Sequence, residues 1–233
     1  MIVAIHQPNY LPWLGYFYKI ARADVFVFLD DVQFSKGSYT NRVRILASVG
    51  GKWLTIPITV SMGQAVCEVS FASPDWRKGH ADTLRGAYSA APAFFAVWPK
   101  VREAILGADG DDLAEVNIRL VTFLAERLGL RCQFRRSSEL HLQSVSDDRL
   151  VQIAAQVAPG GTYLSGKGGA KYQDPEKFHR AGLGFEYANY SPLAYHQIAR
   201  AGLFDFVPGL SILDAVFHLG WSRTADLIAE KTA

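Results

Sequence analysis

The chain has 233 residues, 49% hydrophobic and 20% charged, with a net charge of +2. That balance suits a compact core, supplies no basic field for nucleic acid or a polybasic membrane patch, and leaves no apolar run of the ~18 residues that a membrane span needs. The start, MIVAIHQPNY, has neither the basic nor the long apolar region of an export signal, so a cytoplasmic location is expected, with Cys67 and Cys132 as reduced, buried thiols.

IVAIH (2–6) is a short apolar run stopped by Pro8 and reads as a buried strand. Residues 13–22 follow as a helix, with Pro12 expected in its first turn, where a missing N–H costs nothing. DVFVFLD (24–30) is apolar enough for a strand buried on both faces, as in a parallel sheet. Strand, helix and strand make a βαβ unit. Residues 40–48 and 52–60 flank Gly50-Gly51 and predict a hairpin, and VCEVSF (66–71) predicts a further strand. Helices are expected over 75–89, 93–106 and 111–129. The last has Leu113, Val116, Leu120, Phe123, Leu124 and Leu128 on one face, Asp111 or Asp112 as its cap and Gly129 as its stop. RCQFRR (131–136) reads as a strand and 147–158 as a helix behind Ser146. TYLSG (162–166) reads as a strand, DPEKFHRAG as a helix with Asp174 at N-cap and Pro175 at N1, and GFEYANY (184–190) as another strand. Helices near 211–219 and 222–231 close the chain. The expected architecture is one α/β domain over 1–233 with a mostly parallel sheet. Residues ~38–130 form a hairpin and helical insertion, and 131–233 complete the sheet and add the C-terminal helices.

Open α/β sheets bind ligands beyond the carboxyl ends of their strands, and three polar clusters fall there. The first is His6, Gln7, Asn9 and Tyr10, with Tyr16 on the following helix. The second is Asp30, Asp31, Gln33 and Lys36, with Asn41 and Arg42 close behind. The third is Ser165, Gly166 and Lys167, opening SGKGG. Taken singly, each has a plainer reading: a structural histidine, a turn, a flexible loop. Together on one sheet edge they predict a single binding cleft. SGKGG offers backbone N–H groups and a lysine to an anion, without the spacing of a Walker loop. EYANYSPLAYHQ (186–197), with Tyr195, interleaves polar-tipped rings and amides as a sugar or nucleobase pocket does, and equally as half-buried edge residues do. Ser211 and Asp214 fit a capping box. No His/Cys/Asp/Glu spacing suggests a metal site, and no G-x-S-x-G elbow is present.

HQPNYLPWLGYFYKI, the D-x-F-V-F-L-D-D-V-Q-F-S-K-x-S-Y-x-N-R segment, WLTIP, YLSG and LSILDAVFHLG together resemble the WbqC-like protein family, from Ile5 to Gly220. The chain departs from the expected pattern at Val43-Arg44, where a second Asn-Arg-like step is missing. The resemblance implies a link to bacterial surface-polysaccharide (O-antigen) synthesis and a transferase, glycyl or acyl, forming an amide on an amino sugar. The alternative is a non-catalytic module binding a nucleotide or sugar nucleotide. The opening strand, helix and D-D-V-Q-F are also similar to pantothenate synthetase and other nucleotidylyl transferases, which implies a Rossmann-like core. Both histidines of that group's H-x-G-H motif are absent at Trp13-Leu14-Gly15-Tyr16. On these implications His6 is the general base, since an imidazole ordinarily titrates near neutrality. Asn41 and Arg42 hold a carboxylate or phosphate, and Lys167 with the 166–169 backbone holds a second anion. Asp30 and Asp31 are placed to carry Mg²⁺ should a nucleotide such as ATP be used.

Overall fold

The computed structural model describes residues 1–47, 50–108, 110–171, 173–199, 202–204 and 206–229. In chain order the elements are β1 (Ile2–His6), α1 (Leu14–Arg22), β2 (Val25–Phe28), β3 (Arg42–Leu46), β4 (Gly51–Thr55), β5 (Ile58–Thr59), β6 (Ser70–Phe71), α2 (Trp76–Tyr88), α3 (Phe94–Leu106) and α4 (Leu113–Arg127). They continue with β7 (Gln133–Arg136), α5 (Ser146–Val157), β8 (Thr162–Gly166), α6 (Pro175–Arg180), β9 (Gly184–Ala188), β10 (Gln197–Ala199), β11 (Gly202–Phe204) and α7 (Ile212–Ala229).

Five strands pair in parallel in the order β7-β2-β1-β8-β9. The chain builds outward from β1 on one side, then returns and builds outward on the other. The order therefore reverses between β1 and β8, and such a switch point opens a crevice beyond the strand ends. Successive side chains of a strand face opposite sides, and here both sides are covered. Ala4, Phe26, Phe28 and Leu164 pack in the core formed with α1, α3, α4 and α7, whereas Val3, Ile5, Val25, Val27 and Tyr163 pack with Ile153 and Ala154 of α5 and Phe178 of α6. This two-sided burial is why the first two strands read as unbroken apolar runs.

Several boundaries differ from the sequence expectation. Pro12 lies outside α1: Trp13 is the N-cap, in extended conformation, and the Pro12 carbonyl accepts a hydrogen bond from Ile212 N at 2.8 Å. The expected arm 52–60 breaks at Ile56-Pro57 into β4 and β5, because proline has no N–H for the ladder. The expected strand 66–71 is a 3₁₀ turn, Val66–Glu68, followed by the two-residue β6. β9 stops at Ala188. Ser146 is the first residue of α5, with φ +54°, rather than its cap. The β10–β11 hairpin was not expected. The two closing helices meet in α7 at Gly220, whose φ of 78° and ψ of 173° bend the path. Residues 230 and 231 of the second expected helix, and 48 of the first hairpin arm, lie outside the described residues. Asp112 and Asp174 cap α4 and α6 as the sequence predicts, accepting from Glu115 N and Glu176 N.

Candidate functional site

A cleft of about 370 Å³ opens at the switch point between β1 and β8. His6 ends β1 and Ser165-Gly166 end β8; Lys167, Gly168 and Gly169 continue the rim, and α1 supplies Gly15, Tyr16 and Lys19. Trp13 and Tyr190 form the outer wall. A Cβ on Gly15 would stand 2.8 Å from both Trp13 Nε1 and Tyr190 Cδ1, so glycine is what lets this wall close against the helix. A Cβ on Gly169 would collide with Ser165 Oγ and the Gln173 carboxamide, so the glycine-rich loop is seated by its lack of side chain.

The His6 ring lies edge-on to Tyr16, with centroids 4.8 Å apart, and Nδ1 is 3.1 Å from the Gln7 carbonyl. A carbonyl only accepts, so Nδ1 carries the proton and Nε2 the lone pair. Burial, aided by the nearby Lys19 ammonium, pushes the imidazole pKa down to about 3. His6 is therefore neutral at physiological pH. Lys19 was not anticipated. It is 5% exposed, its Nζ donates to the Ile5 carbonyl at 3.1 Å, and burial lowers its pKa to about 7. The signal in the sequence was a lysine four residues after Gly15 inside the apolar run LGYFYKIAR. Tyr16 donates its phenol to the Gln7 carbonyl at 3.0 Å. Ser165 is fully buried, its Oγ set against the Gly166 carbonyl and Gln173 Oε1, while Gln173 Nε2 donates to Tyr163 OH at 3.2 Å. No carboxylate lines the cleft among the described residues, so its field favours an anion.

The other predicted residues fall elsewhere, and the expected single cleft divides. Gln33, Lys36, Asn41 and Arg42 line a second cavity of about 920 Å³ beside the β3–β4 hairpin, whose lining includes neither His6 nor Lys167. Asn41 donates to the Ile56 carbonyl at 3.1 Å; Arg42 donates to the Gly37 carbonyl and lies 4.2 Å from the Trp53 ring centre. Tyr195 faces a third cavity of about 330 Å³, which shares Trp13 and Tyr190 with the first. Its phenol donates to Asp214 Oδ2 at 2.6 Å, beside Gln197 Nε2 at 2.7 Å. Ser211 does cap α7, its Oγ accepting from Leu213 N at 3.3 Å while donating to the Leu11 carbonyl at 2.8 Å, but Asp214 is not the return partner of a capping box, since Ser211 N donates to the Arg44 carbonyl. Burial raises the Asp214 carboxyl above the usual carboxylate range.

Gln7, Asn9 and Tyr10 sit behind the first cleft. Gln7 Oε1 accepts from Thr40 Oγ1 at 3.4 Å, and Asn9 is buried and lines none of these cavities. Tyr10 is fully buried with its phenol 2.9 Å from His80 Nδ1. Buried Asn117 donates to the Pro8 and Thr40 carbonyls, tying this loop to α4. Asp30 has no exposed surface; it accepts from Arg136 Nε at 2.8 Å and from Ser138 N and Oγ at 3.0 and 2.8 Å, and its own N–H donates to Ser137 Oγ at 3.1 Å. Asp31 accepts from Ser137 Oγ at 2.5 Å and pairs with Arg149. These carboxylates clamp the turn after β7, outside the cleft, and with both sets of oxygens occupied they do not fit Mg²⁺. Among the described residues no other His/Cys/Asp/Glu group is arranged for a metal. Both cysteines are free and half-buried.

A sequence model of the WbqC-like protein family matches residues 7–226, which takes in the lining of all three cavities except Ile5 and His6 of the first. The chain is also 32% identical over 220 residues to the uncharacterised protein Rv1507c of Mycobacterium tuberculosis (strain ATCC 25618 / H37Rv), covering 94% of each chain. No helix among the described residues is long and apolar enough to cross a membrane.

Proposed function

Since the chain belongs to the WbqC-like protein family, we propose that it is a transferase that forms an amide, glycyl or acyl, on an amino sugar of a bacterial surface-polysaccharide precursor. The observation that carries this reading is the switch-point cleft, where a buried lysine with a pKa of about 7 stands with His6 and Lys167 and without a carboxylate. The anionic part of an activated acyl donor binds against Lys167 and the backbone of Gly166–Gly169. The sugar amine attacks the acyl carbon, the C–N bond forms, and the leaving group departs with its bonding electron pair onto that loop. The proton shed by the amine passes to neutral Lys19, whose pKa matches the working pH. His6, at about 3, is too weak a base for that transfer. Its Nε2 lone pair accepts a hydrogen bond and orients the amine. The same low pKa favours a second reading, a module that binds a nucleotide or sugar nucleotide without turnover.

The test is incubation with glycine, ATP and a nucleotide-linked amino sugar, followed by mass spectrometry. Addition of one glycyl group, lost in Lys19→Met and Lys167→Ala, supports the transferase. Ligand-induced thermal stabilisation that depends on Lys167, with no product from any donor, supports the binding module. Neither product nor stabilisation overturns both.

A further inference from the structure

We propose that the second cavity is a separate subsite for an acidic oligosaccharide chain, reached from the switch-point cleft across Trp13, Tyr39 and Trp53. This rests on the reading of the acceptor as a sugar and extends it from one ring to a chain. Isolated exposed apolar side chains need no explanation, but here they gather. Of the seven large hydrophobic residues exposed among those described, Tyr39 (38%), Trp53 (43%), Val60 (39%) and Met62 (101%) surround this cavity or its approach. The rings form a continuous path. Trp13, in the wall of the first cleft, is 5.1 Å from Tyr39; Tyr39 is 5.5 Å from Trp53; and the Arg42 guanidinium lies 4.2 Å over Trp53. That path is longer than a single six-membered sugar ring. Pyranoses suit it because their C–H faces lie on aromatic rings while their hydroxyls bond to neighbouring amides and hydroxyls. Gln33, Asn41, Thr55 and Ser61 line the cavity and supply such groups.

The charge on the chain follows from the cations. Lys36 and Arg42 line the cavity with no carboxylate among the lining residues. Arg42 is already fixed by the Trp53 ring and the Gly37 carbonyl, and its buried Nε has no hydrogen-bond partner. A pre-positioned guanidinium loses little freedom on meeting a carboxylate.

Calorimetric titration tests this with four probes: a hexamer of galacturonic acid, its monomer, the neutral maltohexaose, and inorganic pyrophosphate. The acidic hexamer is expected to bind at least about tenfold more tightly than monomer or neutral hexamer, and Trp53→Ala or Tyr39→Ala to weaken it about tenfold. Arg42→Gln reduces the acidic hexamer to the neutral one's level. Lys167→Ala weakens pyrophosphate binding. Failure of the acidic hexamer to bind, or equal binding by wild type and both ring variants, overturns the subsite. If Lys167-dependent pyrophosphate binding persists in that case, the subsite alone has failed; if that binding is absent too, the reading of the first cleft has failed with it.

Discussion

Replacing Lys19 with Met isolates the energetic signature of the switch-point cleft. Lys19 is 5% exposed, and burial brings its pKa from 10.5 to about 7. The unfolded chain keeps that proton to near the ordinary lysine value. Between the two values the unfolded state therefore binds more protons than the folded state, and stability rises with pH. A single-site linkage with these two values gives a gain of about 2 kcal/mol between pH 7 and pH 9. The contribution becomes level only below about pH 6, where both states are protonated, since at pH 7 the folded lysine is half deprotonated. Methionine keeps the apolar stem, does not titrate, and loses the bond to the Ile5 carbonyl, an offset that does not vary with pH. Urea unfolding of both proteins at pH 7, 8 and 9 is the assay; subtracting one from the other cancels the other titrating groups, and although Lys19 also acts on His6, burial keeps that imidazole neutral over this range in both proteins. The difference should move by about 2 kcal/mol in favour of the wild type as pH rises. Parallel curves, or a difference of the opposite sign, would refute a buried lysine and with it Lys19 as the proton acceptor.

Asp30→Asn should cost about 3 kcal/mol in urea unfolding, since it removes the charge that pairs with half-buried Arg136 and disturbs the contacts from Ser137 and Ser138. A change below about 1 kcal/mol would mean that this clamp contributes little and would restore Asp30 as a candidate for other work. Gly220→Ala should lower stability by about 1–3 kcal/mol, because φ 78° with ψ 173° is a region open essentially to glycine. An unchanged melting temperature would show that α7 can straighten without loss.

The sheet was legible because its signals are local. β1 and β2 are apolar on both faces, β8 has the limits that its TYLSG run predicts, and Asp174-Pro175 and Asp112 announce helix starts by cap chemistry. The misread boundaries depend on partners far away in sequence. Pro12 is withheld from α1 because its carbonyl serves Ile212 and because Trp13 bridges to Ser211, some two hundred residues on. Asp214 looked like a helix-capping acid, since three residues from a serine is a local pattern. Its actual partners are Gln197, in a hairpin that no nearby periodicity foretold, and Tyr195 just ahead of it.

The site was half legible for a related reason. A strand-end rule can say that His6 and Ser165 lie at one sheet edge, because β1 and β8 are parallel neighbours and both end there. It cannot say which way a chain turns after leaving the edge. After β2 the path enters a turn held by Arg136, Ser137 and Arg149, which takes Asp30 and Asp31 out of the crevice, and then runs into β3, which places Asn41 and Arg42 over their own cavity. The same rule passes over Lys19, since a lysine in a short amphipathic helix is normally solvated. Its burial arises only when α1 is pressed against β1 closely enough for Nζ to reach the Ile5 carbonyl. The residue most exposed to that contact is then the one whose proton affinity the fold changes into the working range. The lowered proton affinity of Lys19 is thus a property of helix-to-sheet packing, and a substitution that loosens α1 should return Lys19 toward its ordinary pKa without touching the lysine itself.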